Sequence, residues 1–179
     1  MQDKEVFLLK TNIKKLAISA LMTALCIVIG LVCKRFLTFG AIRVTFENLP
    51  ILLAGYLLGP IYGGAVGIAA DLVSAPLSGF GINPVITLGA ASVGVIAGLL
   101  SGYIMKTNGF LHTLTATLAS HAVGSMIIKS LGLLMYGYAW QMLALRIPLY
   151  FVIGIAEAYA VYILLKNKRI LDLAKEGRK

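Results

Sequence analysis

Long apolar runs, separated by short polar or basic segments, make up most of this 179-residue chain. A helix needs about 20 apolar residues to cross the hydrocarbon core of a bilayer, and runs of that length recur along the sequence. The pattern predicts an all-α integral membrane protein, a bundle of transmembrane helices that forms a single membrane domain over residues 1–179. The predicted spans are residues 16–33, 46–58, 60–75, 84–105, 110–135 and 143–165.

The apolar region over residues 46–75 is too long for one membrane helix. Gly59-Pro60 lies in its middle, and the pair breaks helices because proline removes a backbone donor and glycine favours turns. We therefore expect two short helices joined by a tight turn. The following stretch, residues 74–83, is rich in serine, glycine and proline and predicts a loop.

Basic residues concentrate at the two ends of the chain, and the formal net charge is +9. In a multi-pass protein of the cell membrane, such clusters favour the cytoplasmic side and anionic lipid, so nucleic acid is not an expected partner. Two cytoplasmic ends require an even number of spans, which selects six over five. The segment with Lys34, Arg35 and Arg43 then lies outside, either as an exception to the rule or because an anion binds there.

Polar side chains from separate segments are predicted at one depth near the outer side of this six-helix bundle. A convergent set of polar groups in an apolar bundle is the usual description of a ligand site. The three cations of the set suit carboxylates on a substrate, since arginine can hold a carboxylate with two parallel hydrogen bonds. The acid and the amide can accept from and donate to the edge of a heteroaromatic ring. The candidate substrate-binding residues are Arg43, Asp71, Asn83, Lys129 and Arg146.

Each candidate also has a structural interpretation. Arg43 and Arg146 can anchor at the membrane interface through their long apolar stems. Asp71 and Lys129 can form an ion pair across the bundle. Glu47, which lies close to the site, can neutralise Arg43 or cap the second helix.

Other polar and aromatic residues in the apolar spans are placed outside the candidate site. His121 is interpreted as an interhelical hydrogen-bonding residue. Glu157, the deepest acid, either pairs within the bundle or has a coupling role. Tyr136 and Tyr138 have the character of residues at a membrane interface.

The first span carries small residues on one helical face, at Ala17, Ala20 and Ala24. Small residues at this spacing allow two helices to approach closely in lipid. The partner is either another helix of the same bundle or a separate membrane subunit that docks on this face.

Motifs for nucleotide binding and hydrolysis are missing from the sequence. It contains no G-x-x-x-x-G-K-[ST] loop, no H-E-x-x-H and no G-x-S-x-G. If the protein takes part in ATP-driven transport, the ATPase must therefore be another chain. No metal or cofactor is expected in this one.

Five runs of the sequence carry a family resemblance: residues 15–24, 42–50, 54–64, 69–72 and 120–130. Their most specific parts read Arg-x-x-Phe, Leu-Gly-Pro-x-x-Gly-Gly and Ala-Asp. In these runs the chain resembles the substrate-binding S components of energy-coupling factor (ECF) vitamin transporters, and within them the folate group. The resemblance extends over nearly the whole chain.

The resemblance implies a prokaryotic six-helix subunit, not an enzyme, which binds its vitamin from outside. It implies a transmembrane coupling protein, which docks on the alanine face of the first span, and two ATP-binding cassette ATPases. Folate has a pterin ring and a dicarboxylate tail that fit the charge set, so folate or a related vitamin is the expected ligand. The alternatives are another vitamin such as thiamine or riboflavin, an intramembrane enzyme, or a structural subunit.

Overall fold

The computed structural model describes the backbone of residues 2–39, 42–107, 109–168, 170 and 172. Side chains are described over the same ranges except at residues 2–11, 38, 39, 42, 43, 106, 107, 142 and 143. The helices are α1 (Gln2–Phe36), α2 (Asn48–Leu58), α3 (Pro60–Leu77), α4 (Pro84–Thr107), α5 (Phe110–His121), α6 (Lys129–Met135) and α7 (Trp140–Leu165). A π-helical segment, Ala122–Ile128, joins α5 to α6 without a break.

Among the described residues, five helices are long and apolar enough to cross a membrane. They are Asn12–Phe36, Pro60–Leu77, Pro84–Met105, Phe110–Met135 and Ala144–Leu165. The helix α2 is also apolar, but it has 11 residues. At the usual rise it is only about 17 Å long, against a hydrocarbon core of about 30 Å. The predicted helical membrane bundle is confirmed, whereas a count of six complete spans stays a prediction.

The short helix α2 lies inside the bundle, packed against α1, α3 and α4. Its side chains are buried almost all round, as expected for a helix that is apolar on every face. It ends at Gly59, whose φ of 96° is a conformation that glycine adopts readily. Pro60 then begins α3, where its missing N–H would have no partner anyway. The predicted break at Gly59-Pro60 is thus confirmed.

Glycines bring α2, α3 and α4 into backbone contact. A Cβ atom added at Gly63 would lie 2.6 Å from the Gly55 Cα and 2.5 Å from the Gly94 carbonyl oxygen. One added at Gly98 would lie 2.3 Å from the Pro60 nitrogen. Small residues permit such close helix approach, which is a main source of packing energy in lipid. These contacts hold the α2–α3 hairpin against α4.

The structure differs from the prediction in the bounds of two helices and in one connection. The first helix extends to Gln2 and Phe36, well beyond residues 16–33. The helix α3 continues to Leu77, so the loop predicted from residue 74 begins only after it. The connection after α1 contains a small antiparallel hairpin of β1 (Thr38–Phe39) and β2 (Ile42–Arg43), which the all-α prediction missed. Strands of two residues are too short to produce a periodic sequence signal.

Replacing Gly94 with alanine should lower the thermal stability of the purified protein. The added methyl would lie 2.1 Å from the Gly63 carbonyl oxygen, and overpacking of this kind costs about 1–3 kcal/mol. Gly102→Ala, on the same helix, is the matched control, because no described atom of a neighbouring segment lies within 4 Å of its added methyl. Thermal denaturation in detergent measures both variants. Equal melting temperatures for Gly94→Ala and wild type would contradict the close crossing.

Candidate ligand-binding site

A cavity of about 380 Å³ lies at one end of the bundle. The end of α1, the segment just before α2, the second half of α3, the start of α4, α6 and the first half of α7 all contribute side chains to it. Pockets for small ligands typically have volumes of about 300–1,000 Å³. This cavity is therefore large enough for a small organic molecule.

Four of the five predicted binding residues line this cavity: Asp71, Asn83, Lys129 and Arg146. The fifth, Arg43, lies in β2, and its side chain is outside the described part of the structure. The predicted convergence of polar groups at one end of the bundle therefore holds for these four residues. What they contact as ligand stays a prediction.

Lys129 begins α6 directly after the π-helical segment and is buried. Its Nζ donates to Asn48 Oδ1 at 3.2 Å and lies 3.7 Å from Glu47 Oε1. Gly89 of α4 leaves room for it, because a Cβ there would lie 2.6 Å from Lys129 Cγ. The alternative of an ion pair with Asp71 is wrong, since among the described contacts the carboxylate facing this ammonium belongs to Glu47.

Glu47 was predicted to cap α2 or to neutralise Arg43, and its use in the cavity was missed. It precedes α2, but its side chain makes no capping hydrogen bond. Its carboxylate faces Lys129 and lines the cavity, and neutralisation of Arg43 stays a prediction because the Arg43 side chain lies outside the described residues. Gly30 of α1 leaves space for it, because a Cβ at Gly30 would lie 3.1 Å from Glu47 Oε2. The signal that could have found it is an acid directly before a helix that is apolar on every face.

Asp71 and Asn83 hold the α3 and α4 walls of the cavity. Asp71 Oδ2 accepts a hydrogen bond from the Thr87 hydroxyl at 2.6 Å. Asn83 Oδ1 accepts from the Val85 N–H at 2.9 Å, and its Nδ2 donates to the Gly132 carbonyl at 3.0 Å. The Asn83 amide thus caps α4 and ties it to α6. Its predicted contact with a ligand ring stays a prediction, for which one Nδ2 hydrogen is left.

Arg146 lines the cavity from α7 and is held by Tyr150, one turn further along. Its guanidinium carbon lies 5.0 Å from the centre of the Tyr150 ring, and one terminal nitrogen donates to the Tyr150 hydroxyl at 3.4 Å. The Nε atom is buried and donates to no acceptor among the described residues. A buried donor without an acceptor costs about 1–3 kcal/mol. This geometry is suited to an anionic group in the cavity.

Lys34, at the end of α1, lines the cavity although it was not among the predicted binding residues. Its Nζ donates to the Ser78 hydroxyl and to the Ser74 carbonyl at 3.4 Å. The ammonium also lies 6.0 Å from the centre of the Phe80 ring. Lys34 therefore joins α1 to the end of α3 and to the loop that follows it.

Tyr136 and Tyr138, predicted as interface aromatics, line the cavity from the segment between α6 and α7. The Tyr136 hydroxyl donates to the Gly81 carbonyl at 2.6 Å. The loop between α3 and α4 is thus held from two sides, by α1 and by this segment. Aromatic side chains here can serve as a wall for a planar ring.

His121 and Glu157 form a fully buried pair between α5 and α7. His121 Nε2 lies 2.5 Å from Glu157 Oε2, and Nδ1 lies 3.3 Å from the Ser125 hydroxyl. The predicted interhelical hydrogen bond of His121 is confirmed, and Glu157 pairs within the bundle. Neither residue lines the cavity.

Ala17, Ala20 and Ala24 face away from the bundle and are exposed. The buried side of α1 carries Cys26 and Cys33 instead. Packing within the bundle, one of the two interpretations of this alanine face, is therefore wrong. The face is open to lipid or to another chain.

The model of one protein family, the substrate-specific component of ECF transporters, matches residues 14–169. The chain belongs to this family. It is a family of transporter subunits and not of enzymes, and with the apolar helices it shows a membrane-embedded protein. An uncharacterized protein of Mycoplasma pneumoniae (strain ATCC 29342 / M129), described as an MG098 homolog, is 31% identical over 91 residues. That match covers 51% of this chain and 19% of the relative, so the chain spans about a fifth of the relative's length.

Substitution of Asn83 should reveal its role in joining helices. Asn83→Ala loses the α4 cap and the bond to Gly132, and loss of a cap alone costs about 0.5–2 kcal/mol. Asn83→Ser can still cap α4 but is too short to reach α6, so its stability should lie between those of Asn83→Ala and wild type. Thermal denaturation gives this order. An Asn83→Ala variant as stable as wild type would show that these hydrogen bonds do not hold the site.

Proposed function

We propose that this protein is the substrate-binding subunit of an ECF importer and captures folate, or a closely related vitamin, at the outer side of the cell membrane. Membership of the substrate-specific component family supports the transport role. The buried Arg146 Nε without a described acceptor, beside the cavity, is the observation that carries the choice of ligand.

The charges around the cavity favour an anionic ligand. Lys34, Lys129 and Arg146 line it together with two acids, Glu47 and Asp71. Lys129 lies beside Glu47, so part of this positive charge is balanced within the protein. Arg146 faces no carboxylate among the described salt bridges, and a guanidinium holds a carboxylate with two parallel hydrogen bonds. We therefore assign the glutamate tail of folate to the Arg146 side.

The remaining wall suits a flat ring with amino groups. Phe80, Tyr136 and Tyr138 offer aromatic faces, and the Asp71 carboxylate can accept hydrogen bonds from ring N–H groups. Thiamine would place a positive charge near Arg146, which is electrostatically unfavourable. Riboflavin has a ring system but no carboxylate, so it would leave the buried Arg146 donor unpaired.

The purified protein should bind folate tightly and should bind thiamine and riboflavin weakly or not at all. Isothermal titration in detergent, with mass spectrometry of small molecules retained through purification, tests this. Tight binding of riboflavin or thiamine in place of folate would reject the ligand and retain the transport role.

The Arg146→Gln variant should bind folate at least about tenfold more weakly, because it loses a charge-assisted hydrogen bond worth roughly 1.5–3 kcal/mol. Lys166→Gln is the matched control: it removes the same charge at the opposite end of α7, where Lys166 lies over the Tyr162 ring away from the cavity. Equal affinities of Arg146→Gln and wild type would remove Arg146 from the site.

We further propose that the protein works with a transmembrane coupling protein and two ATP-binding cassette ATPases, which use the ATP. Both ends of this chain are then cytoplasmic, in a prokaryotic membrane. The exposed alanine face of α1, Ala17, Ala20 and Ala24, supports a docking surface because small residues allow a partner helix to approach closely.

A bulky residue on the alanine face should prevent assembly. Ala20→Trp, co-expressed with a coupling protein and its ATPases, should lose co-purification of these partners while still binding ligand. Ala156→Trp, at an equally outward-facing alanine of α7, is the control and should co-purify normally. Normal assembly of Ala20→Trp would place the docking surface elsewhere.

A further inference from the structure

One face of α7 leads from the cavity to a buried acid. Arg146, Tyr150, Gly154 and Glu157 follow one another at intervals of four, four and three residues, and residues at these spacings share a helix face. Arg146 and Tyr150 line the cavity, whereas Glu157 is 1% exposed and lies deeper in the bundle.

His121 of α5 connects the two ends of this face. Its Nε2 lies 2.5 Å from Glu157 Oε2, and its ring centre lies 5.7 Å from that of Tyr150. Gly154 lies between them on α7, and a Cβ there would lie 2.9 Å from Leu118 Cδ2 of α5, so glycine allows α5 and α7 to pack closely. Tyr150 in turn holds the Arg146 guanidinium through its ring and its hydroxyl. Glu157, His121, Tyr150 and Arg146 therefore form a continuous chain of contacts.

We propose that Glu157 and His121 are positioning residues for the substrate site. Glu157 fixes the plane of the His121 ring, the His121 ring supports Tyr150, and Tyr150 holds Arg146 where it meets an anionic group of the ligand. The last step rests on the proposed function, since it takes Arg146 as a ligand contact. The order of the first three contacts does not depend on the ligand.

The chemistry of the pair supports positioning over simple packing. An acid and an imidazole at this depth in a membrane bundle are costly, and apolar side chains of similar size are often as stable. Hydrogen bonds are directional, however, and both ring nitrogens of His121 have a partner, Glu157 on one side and Ser125 on the other. Two such bonds fix the orientation of the ring, which an apolar neighbour cannot do.

Glu157 also has an unused atom. Its Oε1 is buried and has no hydrogen-bond partner among the described residues. The Glu157 carboxyl group therefore makes one described side-chain hydrogen bond, to His121, and is not part of a larger hydrogen-bond network among the described residues. Because burying this acid is costly and it makes this one contact, we expect its role to be fixing the orientation of the His121 ring.

The Glu157→Leu variant tests the chain of contacts without any ligand. Leucine fills a similar volume and cannot hydrogen-bond to His121. The Nε–Hε NMR resonance of Arg146, assigned with Arg146→Lys, should move in Glu157→Leu to the position typical of exposed arginines. Val161→Ala, one turn further along the same buried face, should lower stability but leave this resonance unchanged. An unchanged resonance in Glu157→Leu would overturn the proposal.

A pair of double variants separates orientation from general damage and replaces the single variant if that one does not fold. His121→Phe with Glu157→Leu places a ring against Tyr150, and the Ser125 hydroxyl loses its bond to His121 equally in both double variants. His121→Ala with Glu157→Leu removes the ring. Relative to its position in Glu157→Leu, the Arg146 resonance should move back towards the wild-type position in the double variant with phenylalanine and not in the one with alanine. Identical spectra of the two double variants would show that the ring does not position Arg146.

Ligand binding supplies the last test. The phenylalanine double variant should bind folate with nearly the affinity of wild type. The alanine double variant should bind folate about tenfold more weakly than wild type. Its affinity for 6-hydroxymethylpterin, which has the ring and no carboxylate, should not change. An equal loss for both compounds would overturn the proposal. If wild type binds no folate, the proposed ligand is wrong, and the Arg146 resonance still decides the positioning.

Discussion

Backbone contact between α3 and α4, made possible by Gly63 and Gly94, is the constraint on which the rest of this structure depends. It brings the α2–α3 hairpin close enough to α4 for α2 to be enclosed on all sides. Lipid supplies no hydrophobic force between helices, so such close van der Waals contact is what holds them together. A side chain at either glycine would separate the helices and open the centre of the bundle.

The cavity lies where the short, enclosed helix α2 begins among longer helices. With 11 residues, α2 is shorter than the helices α1, α3 and α4 that pack around it. The polar groups at its start, Glu47 and Asn48, contact Lys129, which is buried within the bundle. The polar cavity therefore lies next to the start of this short helix, and α1, α3, α4 and α7 contribute side chains to its walls.

Sequence reasoning recovered what depends on local chemistry or on depth in the membrane. Gly59-Pro60 could be identified as a break because both residues act on their own backbone. Asp71, Asn83, Lys129 and Arg146 could be placed together because hydropathy fixes how deep each residue lies. It does not fix how a helix is rotated about its axis. One interpretation therefore paired Lys129 with Asp71, whereas Glu47 is the acid that faces it, and Tyr136 and Tyr138 were left outside the cavity. The two-residue strands gave no periodic signal at all.

The π-helical segment Ala122–Ile128 changes the direction in which the residues after it point from the helix axis. Its wider turns change the angular phase of the helix, so the residues after it do not continue the 3.6-residue period of those before it. His121 and Lys129 flank the segment, one directed to the buried acid of α7 and the other to the cavity. Two sites with different orientations thus share one uninterrupted span. Adding or removing a single residue between them would rotate one site against the other while leaving the hydropathy of the span almost unchanged.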